Sequence, residues 1–177
     1  MILKPQSLAG LWLIEPERFE DARGHFARTF DAAAFSQSHL PTYWAQCSTS
    51  FNARRHTLRG LHWQAAPHAE GKLVRCTRGR IYDVAVDLRP ASATFRRWVG
   101  LELSVENGRQ LYIPEGFAHG FLTLEDASEV YYQITAEFHP ESARGARWND
   151  SAFQVKWPAG DDLIISDRDQ RYPDFSP

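Results

Sequence analysis

Three segments of the sequence place titratable side chains among apolar neighbours and could therefore carry out chemistry. They are Arg59-Gly60-Leu61-His62-Trp63-Gln64, Gly71-Lys72-Leu73-Val74-Arg75 and Pro114-Glu115-Gly116-Phe117-Ala118-His119-Gly120-Phe121. Histidine changes protonation near neutral pH, so His62 or His119 could transfer protons, although a single histidine is more often structural. The chemistry that these residue types could support is proton transfer beside an anion or a developing negative charge.

Lys72 is the residue that periodicity alone makes most informative. In a strand it shares its face with Val74 and Cys76, so it should point the same way as apolar residues. Lysine is almost never buried without a partner, and an inward lysine therefore indicates a site that holds an anion. The alternative is that Lys72 begins the strand and extends its ammonium group to solvent, which is the commoner situation for a lone lysine.

Tyr132 is ambiguous in the same way. It shares strand parity with Val130 and Ile134, whereas its neighbours in the chain face the other side. Taken by itself, Tyr132 is explained as well by a core position with a hydrogen-bonded hydroxyl as by a catalytic one.

The elements that would position these residues are predicted to be β-strands. From Lys72 to Thr135 the chain alternates in apolar character between turn formers, which is typical of an antiparallel all-β sandwich or barrel. In Arg80 to Leu88 the apolar side chains fall on one face, while Asp83 and Asp87 fall on the other, which predicts a half-buried strand. Further strands are predicted at Arg97 to Ser104, Gln110 to Ile113, Gly120 to Leu124 and Glu129 to Thr135.

The helical share of the chain is predicted to be small. One helix is predicted from Asp31 to Ser38, because Asp31 can cap the run of alanines that follows it. The Pro-containing tail from Trp157 onward is too short to form a domain. We expect it to pack as a strap on the barrel.

The composition excludes several classes of protein. A chain of 177 residues with a net charge of -2 is the size of one domain and lacks the basic field that attracts nucleic acid. No apolar run is long enough to span a membrane, and the N-terminus lacks the layout of a signal peptide, so we expect a cytoplasmic protein. Cys47 and Cys76 are expected to be free thiols.

Linked motifs along nearly the whole chain resemble those of the dTDP-4-dehydrorhamnose 3,5-epimerase family. Besides the three segments above, the matching motifs are Phe19 with Asp21-Ala22-Arg23-Gly24, Tyr82 to Arg89, Pro140-Glu141-Ser142 with Arg147-Trp148, and Ile165-Ser166-Asp167-Arg168-Asp169. The resemblance implies a single domain over residues 1–177 with a cupin-type double-stranded β-helix, a jelly-roll barrel with a few short helices. It also implies a homodimer with an N-terminal segment that contacts the partner, a C-terminal strap that carries Asp169, and no metal or other cofactor.

The resemblance also implies a division of labour in the site. His62 would remove a proton beside the C4 ketone of a nucleotide-linked 4-keto-6-deoxyhexose, and Asp169 would orient its ring. Lys72 would stabilise the enolate, and Tyr132 would return a proton to the opposite face. The positions that the resemblance implies for substrate binding are Phe19, Arg23, Arg28, Gln46, Ser48, Arg59, Lys72, His119, Phe138 and Arg168.

Several of these positions differ from the family pattern, and most of them surround the nucleotide. Arg28 and Ala143 stand where the family has glutamate, Ser48 stands for asparagine, Phe138 for tyrosine and Arg168 for lysine. Phe138 keeps an aromatic face that can stack on a pyrimidine. Loss of the two carboxylates makes a CDP-linked 4-keto-6-deoxyhexose an alternative to the dTDP-linked substrate, and neutral drift at the rim is the other explanation. Inversion at C3 alone is a separate alternative to 3,5-epimerisation, because the carbons that are inverted depend on how Tyr132 is placed beneath each of them.

Two rival functions are compatible with a cupin barrel. A metal-dependent cupin uses a His-x-His pair, but His62 is followed two places later by Gln64, so its ligands would have to come from His68, Glu70 and His119. A sugar-nucleotide binding protein without catalysis is the other rival. Binding alone does not require a base, an orienting carboxylate and an opposing acid together, which favours the enzyme.

Overall fold

The computed structural model describes residues 1–160 and 162–176, and β-strands dominate this part of the chain. The strands and helices are, in order, β1 (Ile2–Pro5), β2 (Trp12–Glu15), β3 (Arg18–Asp21), β4 (Gly24–Ala27), α1 (Ala32–Gln37), β5 (Gln46–Asn52), β6 (Thr57–Gln64), β7 (Lys72–Arg78), β8 (Arg80–Asp87), β9 (Trp98–Ser104), β10 (Gln110–Ile113), β11 (Phe117–Thr123), β12 (Ser128–Ile134), β13 (Ala143–Gly145), β14 (Ile164–Ile165) and α2 (Asp167–Gln170). Neither helix of the described residues has the length and apolar character needed to cross a membrane.

Two large sheets form the barrel. Sheet A has the strand order β1-β2-β10-β7-β12-β5, and sheet C has the order β13-β6-β11-β8-β9 with β14 parallel to β6. Strands β3 and β4 form a separate hairpin, sheet B. The main core lies between the sheets, where Val74 and Val130 from sheet A join a cluster with Ala85 and Phe121 from sheet C. This architecture confirms the predicted all-β jelly-roll barrel.

Both large sheets are also covered on their outer faces. Helix α1 buries Phe35 in a cluster with Ile14 and Leu73 outside sheet A. Asp31 caps this helix as predicted, because its side chain accepts a hydrogen bond from the backbone of Ala34 at 3.1 Å. Outside sheet C, the C-terminal part of the chain packs Phe153, Trp157 and Phe175 against β8 and its neighbours.

The prediction of a half-buried strand at β8 is wrong in one respect. Val84 and Val86 do share a face, but they pack outward beneath the C-terminal segment. Asp83 and Asp87 on the other face are fully buried instead of facing solvent. The alternation of the two faces of β8 is as predicted. The sequence pattern of β8 cannot show, however, that a distant segment covers its outer side.

Asp87 illustrates how a carboxylate is accommodated at such a position. It accepts hydrogen bonds from the backbone and guanidinium of Arg89 and from the hydroxyls of Ser92 and Thr94, at 2.6 to 3.0 Å. Burial by itself would raise the pKa of Asp87, but these hydrogen bonds outweigh burial and hold the pKa well below its ordinary value. Asp87 therefore stays ionised and joins the end of β8 to the following loop.

We expect Asp87→Asn to lower the free energy of unfolding by about 3 kcal/mol at pH 7, because it leaves buried donors without their charged acceptor. The depressed pKa means that the wild-type contribution is complete above the ordinary aspartate pKa of 3.8 and is lost as the pH falls below it. Urea denaturation at several pH values tests both points. Asp167→Asn is the control, since the Asp167 side chain is 82% exposed. Equal stability of both variants would contradict the prediction.

Candidate active site

A cavity of about 420 Å³ lies between the two sheets. Strands β5, β7 and β12 of sheet A form one wall, and β6 and β11 of sheet C form the other. The cavity brings together nine of the predicted site residues: Gln46, Ser48, Arg59, His62, Lys72, His119, Tyr132, Phe138 and Arg168. Residues far apart in the sequence therefore surround one space.

His62 and Asp169 form a hydrogen-bonded pair on the sheet C side. The Nε2 atom of His62 lies 2.8 Å from Oδ1 of Asp169, and Oδ2 accepts a bond from the backbone of Gly60 at 3.1 Å. Because a carboxylate can only accept, Nε2 carries the hydrogen and Nδ1 is the nitrogen that can take up a proton. Burial is the largest single influence on Asp169 and opposes its ionisation. The hydrogen bonds from His62 and Gly60 and the electrostatic attraction of His62 and Arg168 together outweigh burial, so the pKa of Asp169 lies below its ordinary value.

Asp169 is positioned by the start of helix α2. Ser166 caps this helix, and its hydroxyl accepts a hydrogen bond from the backbone of Asp169 at 3.1 Å. The strand β14 just before the helix pairs with β6, the strand that carries His62. The pairing of β14 with β6 and the Ser166 cap thus hold the carboxylate of Asp169 beside His62.

Gly60 allows β6 and β11 to approach closely beside this pair. Its φ is +127°, and a Cβ atom there would lie 2.6 Å from the Cα of Gly120. Glycine is required by both the backbone conformation and the contact. In the register of these two strands, His62 lies opposite His119.

His119 is held by a second buried carboxylate, Asp83. Its Nε2 atom lies 2.7 Å from Oδ1 of Asp83, and both side chains are almost completely buried. The sequence alone did not identify Asp83 as the partner of His119, although its alternation placed Asp83 on the face of β8 opposite the valines. Arg59 is oriented similarly, because its Nε donates to Oδ1 of the buried Asn52 at 2.7 Å.

Tyr132 lies on the opposite wall of the cavity from His62, because β12 belongs to sheet A and β6 to sheet C. Its ring packs edge-on against His119, with the ring centroids 6.1 Å apart. Burial and the negative charge of Asp83 raise the pKa of Tyr132 well above its ordinary range. The hydroxyl is therefore protonated at neutral pH and can donate.

Lys72 points into the cavity and does not extend to solvent, so the inward direction predicted from its strand parity is confirmed. Its side chain is only 12% exposed, and its Nζ lies 2.9 Å from Oε1 of Glu70, which also lines the cavity. Tyr172 is a further lining residue that sequence reasoning missed. Its ring packs edge-on against His62 at 5.9 Å.

Phe19, Arg23 and Arg28 lie outside the cavity of their own chain. Phe19 belongs to the hairpin of β3 and β4, is 69% exposed and, with Arg28, lines a separate surface depression. Arg23, at the turn of this hairpin, forms an ion pair with the neighbouring Asp21 at 2.6 Å. Their roles in binding stay predictions.

The residues that a metal-dependent cupin would need are engaged elsewhere. Glu70 pairs with Lys72, His119 pairs with Asp83, and the ring of His68 stacks on His139 with centroids 3.5 Å apart. His68, His139 and Glu141 do lie close together, but parallel stacked rings cannot both direct their in-plane lone pairs at one ion. Within residues 1–160 and 162–176, the rival ligand set of His68, Glu70 and His119 is not assembled.

Comparison with known proteins identifies the family. The family model described as dTDP-4-dehydrorhamnose 3,5-epimerase matches residues 5–177. This chain belongs to the dTDP-4-dehydrorhamnose 3,5-epimerase family. The enzyme of that name from Sinorhizobium fredii is 43% identical over 173 residues, which cover 98% of this chain and 89% of the relative.

Solved structures of the family share the fold over nearly their full length. The dTDP-4-dehydrorhamnose 3,5-epimerase of Elizabethkingia anophelis superposes with a TM-score of 0.94 at 39% identity, covering 99% of this chain and 96% of that one. The dTDP-6-deoxy-D-glucose-3,5-epimerase of Legionella pneumophila, in complex with dTDP-4-keto-L-rhamnose, has a TM-score of 0.89 at 37% identity, covering 95% and 89%.

Proposed function

We propose that this protein inverts C3 and C5 of dTDP-4-dehydro-6-deoxyglucose to give dTDP-4-dehydrorhamnose, a step in deoxysugar biosynthesis. The observation that carries the proposal is the placement of the His62 and Asp169 pair on one wall of a cavity and Tyr132 on the other. Inversion of a carbon centre through an enolate needs a base on one face and an acid on the other. The names of the relatives agree with this chemistry.

In the proposed reaction, Nδ1 of His62 takes the proton from the carbon beside the C4 ketone. The electron pair of that C–H bond forms the enolate, whose negative charge develops on the ketone oxygen. Lys72 supplies the positive charge that stabilises this oxygen, and the hydroxyl of Tyr132 then protonates the carbon from the opposite face. Exchange with solvent removes the proton from His62 and restores that of Tyr132.

The same cavity offers cationic groups for the diphosphate and an aromatic ring for the base. Arg59 and Arg168 both line it, and guanidinium groups bind phosphate oxygens with two parallel hydrogen bonds. Phe138 is 59% exposed at the cavity and can stack on a pyrimidine. We assign these residues to the nucleotide end of the substrate.

The proposal is tested by incubating the protein with dTDP-4-dehydro-6-deoxyglucose in D₂O and following the sugar by NMR. We expect deuterium to replace hydrogen at both C3 and C5, with accumulation of the rhamno-configured ketosugar. Deuterium at C3 alone would identify a 3-epimerase. Absence of exchange at both carbons would contradict the proposal and favour a protein that only binds sugar nucleotides.

A CDP-linked 4-keto-6-deoxyhexose is a second candidate substrate. Gln46 accepts the backbone hydrogen bond of Phe138 through Oε1 at 3.1 Å, which leaves its amide hydrogens as donors at this end of the cavity. Ser48 and Ala143 add no carboxylate there. Donors of this kind match the N3 and O2 acceptors of cytosine as well as the carbonyls of thymine. Comparison of kcat/KM for the two nucleotides decides between them.

We also propose that the protein acts as a homodimer whose hairpins complete the partner's site. The hairpin of β3 and β4 exposes Phe19 and Phe26 at 69% and 65%, and Phe51 on the edge strand β5 is 54% exposed. Phe19 and Phe26 lie opposite each other in the hairpin, and exposed aromatic pairs of this kind are typical of interaction surfaces. A hairpin donated by the partner would bring Phe19 and Arg23 to a cavity that they do not reach in their own chain.

Mixing two inactive variants tests the exchange of hairpins. Arg23→Ala and His62→Asn should each lose activity, but their mixed dimers would contain one site with both residues intact. We expect refolded equimolar mixtures to recover roughly one quarter of the wild-type activity, the fraction that random pairing predicts. A mixture as inactive as its components, or a monomer by light scattering at micromolar concentration, would contradict the proposal.

A further inference from the structure

The ion pair of Glu70 and Lys72 contains a carboxylate that the reaction described above does not use. Among the described residues that line the cavity, Glu70 carries the only carboxylate, whereas the cationic residues there are Arg59, Lys72, Arg144 and Arg168. The Nζ and Oε1 atoms are 2.9 Å apart, and the two side chains are 12% and 11% exposed. A negative charge at this place repels a nucleoside-diphosphate sugar, so substrate affinity does not explain it.

Hydrogen bonds to neighbouring residues hold the backbone that carries the ion pair. Lys72 begins β7 and is paired with Ile113 and Ile134 on the two neighbouring strands. Gly71, between the two charged residues, donates its backbone hydrogen to Oγ1 of Thr135 at 2.8 Å. The flexible part is the four-carbon stem of Lys72, which loses many rotamers when its ammonium group is held in one place.

We propose that Glu70 is a positioning residue, which holds Lys72 so that its remaining N–H groups point to where the ketone oxygen becomes an enolate. This inference rests on the proposed epimerisation. An ammonium group has three donors, so one bond to Glu70 leaves two for the substrate. The neutral ketone of bound substrate competes weakly for these donors, whereas the enolate competes strongly, and the contribution of Glu70 therefore belongs to kcat and not to KM.

Two substitutions of Glu70 test this role. We expect Glu70→Ala to lower kcat by about 10- to 100-fold, the size of effect that misplacement of a catalytic group causes, with KM unchanged or lower. Glu70→Gln keeps an acceptor oxygen and should lose less. The control is Glu125→Gln, because Glu125 forms a pair of similar length, 2.8 Å with Arg80, at a site where both side chains are 41% exposed. It should leave kcat unchanged.

A double-mutant cycle separates positioning from a general structural effect. In a Lys72→Met background there is no ammonium group to position, so Glu70→Gln should change the rate of deuterium exchange by less than about 2-fold. Equal losses in both backgrounds, or a change confined to KM, would overturn the inference. Thermal unfolding of each variant shows that it is folded. An active wild type with unaffected Glu70 variants refutes this inference alone, whereas an inactive wild type refutes the proposed function as well.

Discussion

His62→Asn is expected to abolish both epimerisation and the exchange of substrate hydrogens with solvent. The Nδ1 atom of His62 is the only group to which we assign proton removal, and asparagine cannot take up a proton. Loss of a positioned base costs about 10²- to 10⁴-fold in rate, so both reactions should fall together by that factor. The measurement is the initial rate of deuterium incorporation at C3 and C5, compared with the rate of product formation.

His62→Asn is compared with a substitution of Asp169, the carboxylate that orients the His62 ring. Asp169→Asn leaves the imidazole in place but offers an amide hydrogen to Nε2, which favours the wrong tautomer. Its activity should lie between those of the wild type and His62→Asn. Deuterium exchange at the wild-type rate in His62→Asn would show that another group removes the proton.

Tyr132→Phe is expected to separate the two halves of the reaction. The variant lacks the donor on the sheet A side, so epimerisation should fall by about 10²-fold or more. His62 can still remove a proton, exchange it with solvent and return a deuteron to the same face. We therefore expect recovered substrate that contains deuterium but keeps its configuration, which mass spectrometry and NMR detect together.

Tyr131→Phe is the matched control for Tyr132→Phe. Tyr131 is adjacent on β12, faces the other side of sheet A and packs against Arg75, with the guanidinium 5.4 Å from its ring. Loss of its hydroxyl should leave epimerisation unchanged. If Tyr132→Phe keeps full epimerisation, the assignment of Tyr132 as the acid is wrong.

The strands that the sequence predicted correctly are those in which apolar residues alternate. This applies to the region from Lys72 to Thr135, where β7 to β12 follow the predicted order. The start of β11 was predicted wrongly, because the strand begins at Phe117 and not at Gly120 and is buried along its whole length. Strand β5 escaped prediction because its residues, Gln46 to Asn52, are mostly polar or small on both faces. One face lines the cavity and the other is exposed, so neither face carries the apolar pattern that sequence reasoning detects.

The site was predictable only in part for a related reason. Strand parity placed Lys72 among inward-facing residues, and the structure agrees. The partners of the catalytic candidates are long-range, since Asp169 is 107 residues from His62 and Asp83 is 36 residues from His119. No local pattern reports such pairings. Asp169 could be proposed from family resemblance, whereas Asp83 and Asn52 became recognisable only when the barrel brought their strands together.

The measurement that tests the central claim most directly is the distribution of deuterium during the first few per cent of wild-type conversion in D₂O. If His62 removes a proton from one face and Tyr132 delivers one to the other, early product contains deuterium at the inverted carbon while recovered substrate keeps its hydrogen. If one group served both faces, recovered substrate and product would gain deuterium at the same rate. That second result would contradict the account of two opposed residues across the cavity.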